Sequence, residues 1–341
     1  MAKWYSFMRG NILVMTVCEC IWRSTIDIIW PFLSLYVLWL GGSYQTVGQI
    51  MAIGNLAALI FYPLGGYIAD YQGRIKLIAY MTFAYGVAFL IPAFTSTWQW
   101  LAVGMFIQNI VTFYFPARQA LIADSIPPEQ RGIGFAATMA IPSAFGIAAP
   151  VVGGWLIETY GIDRAIRGLY LVGFFIAVVV ALFRLKYLRE TLDSPKTLDF
   201  SLNKVPRLVI ESYRSVFGVL GGVTRELWTL SLLVSVGVFF ASLVSGFWIV
   251  RASEVVGLTV QQWGTVMLVS GVVSVVLGIP AGSIVDRFSK RWIAGVCLLL
   301  GGLQSLLFLW CTTFSQVVAL AAFTTLTNAF LNLAFQASSL T

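Results

Sequence analysis

Glu19, Arg23 and Asp27 lie four residues apart in a stretch, Asn11 to Leu40, that is otherwise nearly all apolar and long enough to cross a bilayer as a helix. That spacing puts the three charges on one helical face, one turn apart. Hydrocarbon does not solvate ions, so the face must look into protein or a water-filled cavity, where ionisable groups serve solute or proton pathways. How tightly a carboxylate holds a proton depends on its water exposure and its ion pairs. A conformational change that alters both could load a proton on one side and release it on the other. Asp27, deeper in the bilayer, is the expected proton-exchanging group. Glu19, nearer the inner side, would contact a cationic solute or relay the proton, and Arg23 would switch between them. Two other readings stay open. One is a permanent ion network that holds helices together, although such networks are poor stabilisers. The other is binding of a charged or zwitterionic solute without proton coupling.

The elements that must position these charges are membrane helices. The chain has 341 residues, of which 59% are hydrophobic and 10% charged, with a mean hydropathy of +0.88. A soluble domain carries roughly 25% charged residues, so the expected class is an all-α polytopic membrane protein. Apolar runs recur at about 11–39, 45–68, 75–95, 98–121, 133–157, 167–187, 228–250, 262–283, 292–312 and 316–338, parted by short polar or Gly/Pro-rich joints. With the N-terminus in the cytoplasm, seventeen of the 21 basic residues fall on inner joints, Arg118 and Arg184 among them. Arg164, Arg167 and Arg251 fall outside, and Arg23 lies within the first span. That asymmetry sets the orientation and explains the formal charge of +7 without a nucleic-acid partner.

One long hydrophilic stretch, residues 188–226, divides a six-span bundle (1–187) from a four-span bundle (227–341). Its segment LNKVPRLVIESYRSVFGVL could form an amphipathic helix on the inner leaflet or a solvated linker helix. The chain has no histidine, and its cysteines (Cys18, Cys20, Cys297 and Cys311) form no ligand-like cluster. No metal, no cofactor and no enzymatic nucleophile–base pair is therefore expected. The first apolar stretch is too long for a cleavable leader.

A short element occurs twice, each time after the second span of its bundle. The first copy carries Gly66, Asp70, Gly73, Arg74 and Lys76; the second carries Gly282, Asp286, Arg287, Lys290 and Arg291. Repetition at one topological place marks a duplicated transporter. The element resembles the GxxxDRxGRR/K loop of the major facilitator superfamily, with Tyr71 and Ile75 as departures in the first copy and Ser289 in the second. The joint running from Pro116 through Asp124 to Arg131 is similar to the same superfamily. In the fifth span, Ala149-Pro150-Val-Val-Gly153-Gly154 resembles a weakened GPxxGG antiporter motif, although ordinary packing accounts for both glycines as well. In the fourth span, Met105 stands where the antiporter pattern has arginine, while Gln108 is kept and Asn109 replaces glycine. The pattern Glu19…Asp27-Ile-Ile-Trp30-Pro31 resembles the first helix of drug/proton antiporters.

The resemblance implies two helical bundles around a central cavity and secondary active transport by alternating access. Asp70, Arg74 and Asp124 would form a cytoplasmic charge cluster that breaks and re-forms. The leading expectation is proton-coupled efflux of small amphipathic or drug-like molecules from the cell membrane by a monomer. The partners would be the substrate, protons and the bilayer. Gln108, Asn328 and Asn332 are candidates to line the solute path. The alternatives are a facilitator for another solute class, such as a sugar, organic anion or metabolite, and a non-transporting sensor. The superfamily has twelve spans, so a chain with about ten is expected to lack two helices, one of which would pack on the loop around Asp70.

Overall fold

The computed structural model describes residues 7–192, 205–220, 225–285 and 290–339. These are helical almost throughout, with no strand among the described residues. Among the described residues, eight helical stretches are long and apolar enough to cross a membrane: Tyr44–Tyr71, Ile75–Phe94, Trp98–Ser125, Pro128–Tyr160, Ile162–Tyr187, Ser231–Glu254, Val260–Leu277 and Phe314–Leu331. Two of the ten expected spans differ for identifiable reasons. The first carries three charges and breaks at Pro31, which lacks an N–H to continue the helical ladder. The ninth holds a shorter apolar helix, Gly295–Trp310.

The chain divides into two compact units. The first comprises Met1–Ile29, Tyr36–Gly146 and Ile162–Gly221; the second comprises Trp30–Leu35, Ile147–Gly161 and Gly222–Thr341.

The first unit starts with α1 (Asn11–Asp27) and takes in most of α2 (Leu33–Trp39). Helix α3 (Tyr44–Gln72) begins at a capping box, in which the Ser43 hydroxyl accepts from the Thr46 N–H and the Thr46 hydroxyl accepts from the Ser43 N–H, each at 3.2 Å. Gly73, at φ 91°, turns the chain into α4 (Ile75–Phe94). The fourth span is α5 (Trp98–Val111), a 3-10 turn at Thr112–Tyr114, and α6 (Phe115–Ser125). Helices α7 (Arg131–Gly146) and α9 (Ile162–Tyr187) complete the unit's spans.

Small residues set the packing. A methyl group at Gly86 of α4 would stand 2.5 Å from Ala177 Cβ on α9, and one at Gly173 would stand 2.8 Å from the Phe89 ring. The tightest approach is at Gly65, where an added Cβ would lie 1.5 Å from the Phe113 carbonyl oxygen. A backbone atom cannot move aside as a side-chain tip can. Gly65→Ala is therefore expected to push α3 off the 3-10 turn and cost about 1–3 kcal/mol, read as a lowered unfolding midpoint in detergent.

Helix α10 (Val205–Leu220) forms within the hydrophilic stretch and packs against α3. Leu208 is buried with Leu64, Ile68 and Phe113, and the Tyr213 hydroxyl donates to the Leu59 carbonyl at 2.6 Å. One face of α10 is thus committed to a membrane helix, while Ile210 and Phe217 remain exposed.

The second unit contains α8 (Ala149–Tyr160), α11 (Arg225–Ser245), α12 (Trp248–Glu254), α13 (Val260–Val285), α14 (Lys290–Leu307) and α15 (Phe314–Ser339). Helices α8 and α13 meet backbone to backbone. A Cβ at Gly264 would lie 2.5 Å from the Pro150 carbonyl, and one at Gly154 would lie 2.8 Å from the Val260 carbonyl. Gly153 is buried beside them. Gln304 of α14 donates to the Thr327 hydroxyl of α15 at 3.1 Å, a buried polar contact that settles both side chains.

Candidate functional site

Glu19 projects from α1 into the first unit, where both of its carboxylate oxygens are occupied. Arg118 Nη1, from α6, reaches Oε2 at 2.5 Å, and Arg184 Nη2, from the last turn of α9, reaches Oε1 at 2.6 Å. Arg184 is wholly buried, and its Nη1 donates to the Thr82 hydroxyl of α4 at 2.6 Å. The Arg184 guanidinium stands 6.0 Å from the Tyr114 ring, and that of Arg118 lies 4.9 Å over Phe115. Four helices therefore converge on one carboxylate. Two cations face one anion, and the Nε groups of both arginines and the Tyr114 hydroxyl are buried without a hydrogen-bond partner among the described residues.

The three charges expected to act together on α1 are split between two arrangements. Arg23 turns away from Glu19 and donates through Nε to Asp27 Oδ2 at 2.6 Å. This pair is wetter than the Glu19 cluster, with Arg23 55% and Asp27 23% exposed. It lies against Gly146 at the end of α7, where a Cβ would come within 2.6 Å of Asp27 Oδ2. A side chain there would require the ion pair to shift.

Sequence reasoning counted Arg118 and Arg184 among the basic residues at the inner membrane surface, and missed their convergence on Glu19. For Arg184 a signal was present. Ala177, Val180 and Ala181 precede it by seven, four and three residues, on the same helical face, and all are buried. A basic residue in register with a stripe of small residues points inward.

Gln108 is buried on α5, and its Nε2 has no partner among the described residues. Asn328 is exposed on α15. The side chain of Asn332 lies outside the described residues.

At the expected cytoplasmic end, Arg74 is nearly buried and pairs through Nη1 with Asp124; the same nitrogen donates to the Thr191 hydroxyl at 2.9 Å. Glu190 Oε2 accepts from the backbone N–H groups of Arg74 and Ile75, at 2.8 and 3.2 Å, and so caps the start of α4. Asp70 is exposed and stands outside the Arg74–Asp124 pair; Glu190 and Thr191 take the place expected for it. A Cβ added at Gly66 would make an ordinary contact with Pro116 Cβ at 3.7 Å, and Arg131 is exposed at the start of α7. In the second copy of the motif, Asp286 and Arg287 lie outside the described residues, as do the side chains of Lys290 and Arg291. Gly282 lies within α13.

A helical protein with eight apolar stretches of membrane-spanning length among its described residues belongs to the class of polytopic membrane proteins. The profile of the Major Facilitator Superfamily matches residues 14–340, and the chain belongs to that family. Among curated relatives, it is 25% identical over 158 residues to the multi-drug resistance efflux pump PmrA of Streptococcus pneumoniae, covering 45% of this chain and 40% of that one. It is 27% identical over 191 residues to a Na(+), Li(+), K(+)/H(+) antiporter of Planococcus maritimus, covering 54% and 43%. The matched stretches thus span about two fifths of these relatives' length. Two solved structures share the fold. A bacterial homolog of the human lysosomal transporter Spinster superposes with a TM-score of 0.68 at 16% identity, covering 99% of this chain and 75% of that one. A peptide transporter POT in complex with sulfate gives 0.69 at 16% identity, covering 95% and 82%.

Proposed function

We propose that this protein is a secondary active transporter of the cell membrane, with its N-terminus in the cytoplasm, that exports small amphipathic or drug-like molecules in exchange for protons. The observation that carries the reading is the Asp27–Arg23 pair. Glu19 is held at both oxygens by two guanidiniums, so freeing it means breaking two buried charge-assisted bonds. Asp27 is held at one oxygen by a half-exposed arginine, so a modest change in hydration is enough to release it. Asp27 is the acid suited to exchange a proton during each cycle, and Glu19 is suited to hold α1, α4, α6 and α9 as one body. The efflux pump and antiporter among the relatives agree in kind with this reading.

In this scheme the bundles of residues 1–187 and 227–341 alternate access, with residues 188–226 linking them. The Arg74–Asp124 pair opens and closes with the cycle. Asp124 is 42% exposed, so Asp124→Asn is expected to cost only about 1 kcal/mol of stability while slowing transport severalfold. Flux and unfolding measured on one preparation check this, and an unchanged rate would reduce the pair to a static clamp.

A second reading has its own observation. The excess positive charge of Arg118 and Arg184 over Glu19 suits an anionic solute. Proteoliposomes with a pH-sensitive dye inside, challenged with lipophilic cations and then with organic anions, separate the two. Proton movement evoked by cations supports antiport of cationic amphiphiles; a response confined to anions overturns it in favour of the second reading.

A further inference from the structure

A groove runs along the first unit on a different face of α1 from the charges. Its floor is α1 from Leu13 to Ile28, and its walls are Ile141 and Phe145 of α7 and Leu169, Val172 and Ile176 of α9. Its volume is about 660 Å³. From Leu13 to Ile28 the helical rise gives a length of roughly 22 Å.

The lining is apolar and carries no charged side chain. Three hydroxyls reach it, and each is used within its own helix. Thr16 donates to the Ile12 carbonyl at 2.8 Å, Ser24 to that of Cys20 at 3.0 Å, and Thr25 to that of Ile21 at 2.8 Å. A site for a polar ligand offers a few placed donors or acceptors to fix its orientation; the three hydroxyls here already spend their protons within α1 and have none to donate to a ligand. Both walls belong to stretches long and apolar enough to cross a membrane, Pro128–Tyr160 and Ile162–Tyr187. Val17, Phe145 and Val172 stand exposed along it.

We propose that this groove is a binding site for one acyl chain of a bilayer phospholipid. Its length exceeds one leaflet's share of a hydrocarbon core about 30 Å thick, so a full chain fits end to end. With no charged side chain in the lining, occupancy depends on the chain and not on the headgroup. The bound chain fills the recess beside α1 and steadies the helix that carries Glu19 and Asp27.

The test uses the whole protein in vesicles that contain phosphatidylcholine or phosphatidylglycerol with a photoactivatable diazirine in the acyl chain. Adducts are mapped by mass spectrometry. Adducts are expected to concentrate on Leu13, Val17, Ile21 and Val172, equally for both headgroups, above the more exposed Phe175 and Val179 of α9 outside the groove. Val17→Trp fills the recess and should lower groove adducts about tenfold while sparing those at Val179. Val172→Trp repeats the test from the opposite wall should the first variant fail to fold. Adducts distributed in simple proportion to exposure, or groove adducts unchanged in either filled variant, would mean ordinary surrounding lipid only and overturn the proposal.

Discussion

Asp27→Asn is expected to abolish pH-driven flux in proteoliposomes while leaving the folded protein nearly unchanged. Asparagine keeps the shape of aspartate and an oxygen that can accept from Arg23 Nε, so the contact beside Gly146 survives. It can neither carry a proton nor bear a charge. The pair is partly wet, so the stability cost should be within about 1 kcal/mol. Loss of flux with an intact unfolding midpoint would place the coupling step at Asp27. Asp27→Glu reaches farther by one methylene and should retain partial, pH-responsive flux. Undiminished pH-driven flux in Asp27→Asn would sink the coupling model and return the pair to a structural or solute-binding role.

Glu19→Gln should have the larger effect on the fold. It removes the one anion that pairs with Arg118 and Arg184 among the described residues and leaves two guanidiniums without it, one of them wholly buried. Breaking such a cluster typically costs about 3–5 kcal/mol. The expected result is a sharply lowered unfolding midpoint and poor recovery in detergent. The double variant Glu19→Gln/Arg118→Gln removes one cation along with the anion and should regain a measurable part of that loss, as coupled neighbours do in a double-mutant cycle. If Glu19→Gln unfolded normally but transported poorly, Glu19 would belong to the transport step and not to the scaffold.

A rise in salt should separate the two clusters further. Arg23–Asp27 is partly exposed and open to screening, whereas Glu19–Arg184 is shielded by four helices. Unfolding midpoints followed across an ionic-strength series should therefore respond less to Glu19 chemistry than to Asp27 chemistry.

Much of the architecture was written in the chain itself. Hydrophobic runs of bilayer length and the uneven share of basic residues between alternate joints are local properties, and a bilayer imposes them on each segment separately. The break at Pro31 falls inside a stretch read from sequence as one span. The charged face of α1 was likewise legible, because helical period alone aligns residues 19, 23 and 27. The repeated glycine–aspartate element could be read from spacing, whereas the meeting of Arg74 with Asp124 was expected from the resemblance to the superfamily.

Tertiary structure alone decided which charge meets which. Arg23 stood equally near Glu19 and Asp27 in sequence, and it pairs with Asp27 because Arg118 and Arg184, 99 and 165 residues away, already fill the Glu19 carboxylate. Asp70 yielded its expected place to Glu190 and Thr191 for the same reason, since the chain beyond α9 returns to the start of α4. The apolar groove, too, exists only once α1, α7 and α9 pack. Ion pairing and packing depend on separations of a few ångströms between distant segments, and periodicity along one helix carries no information about them.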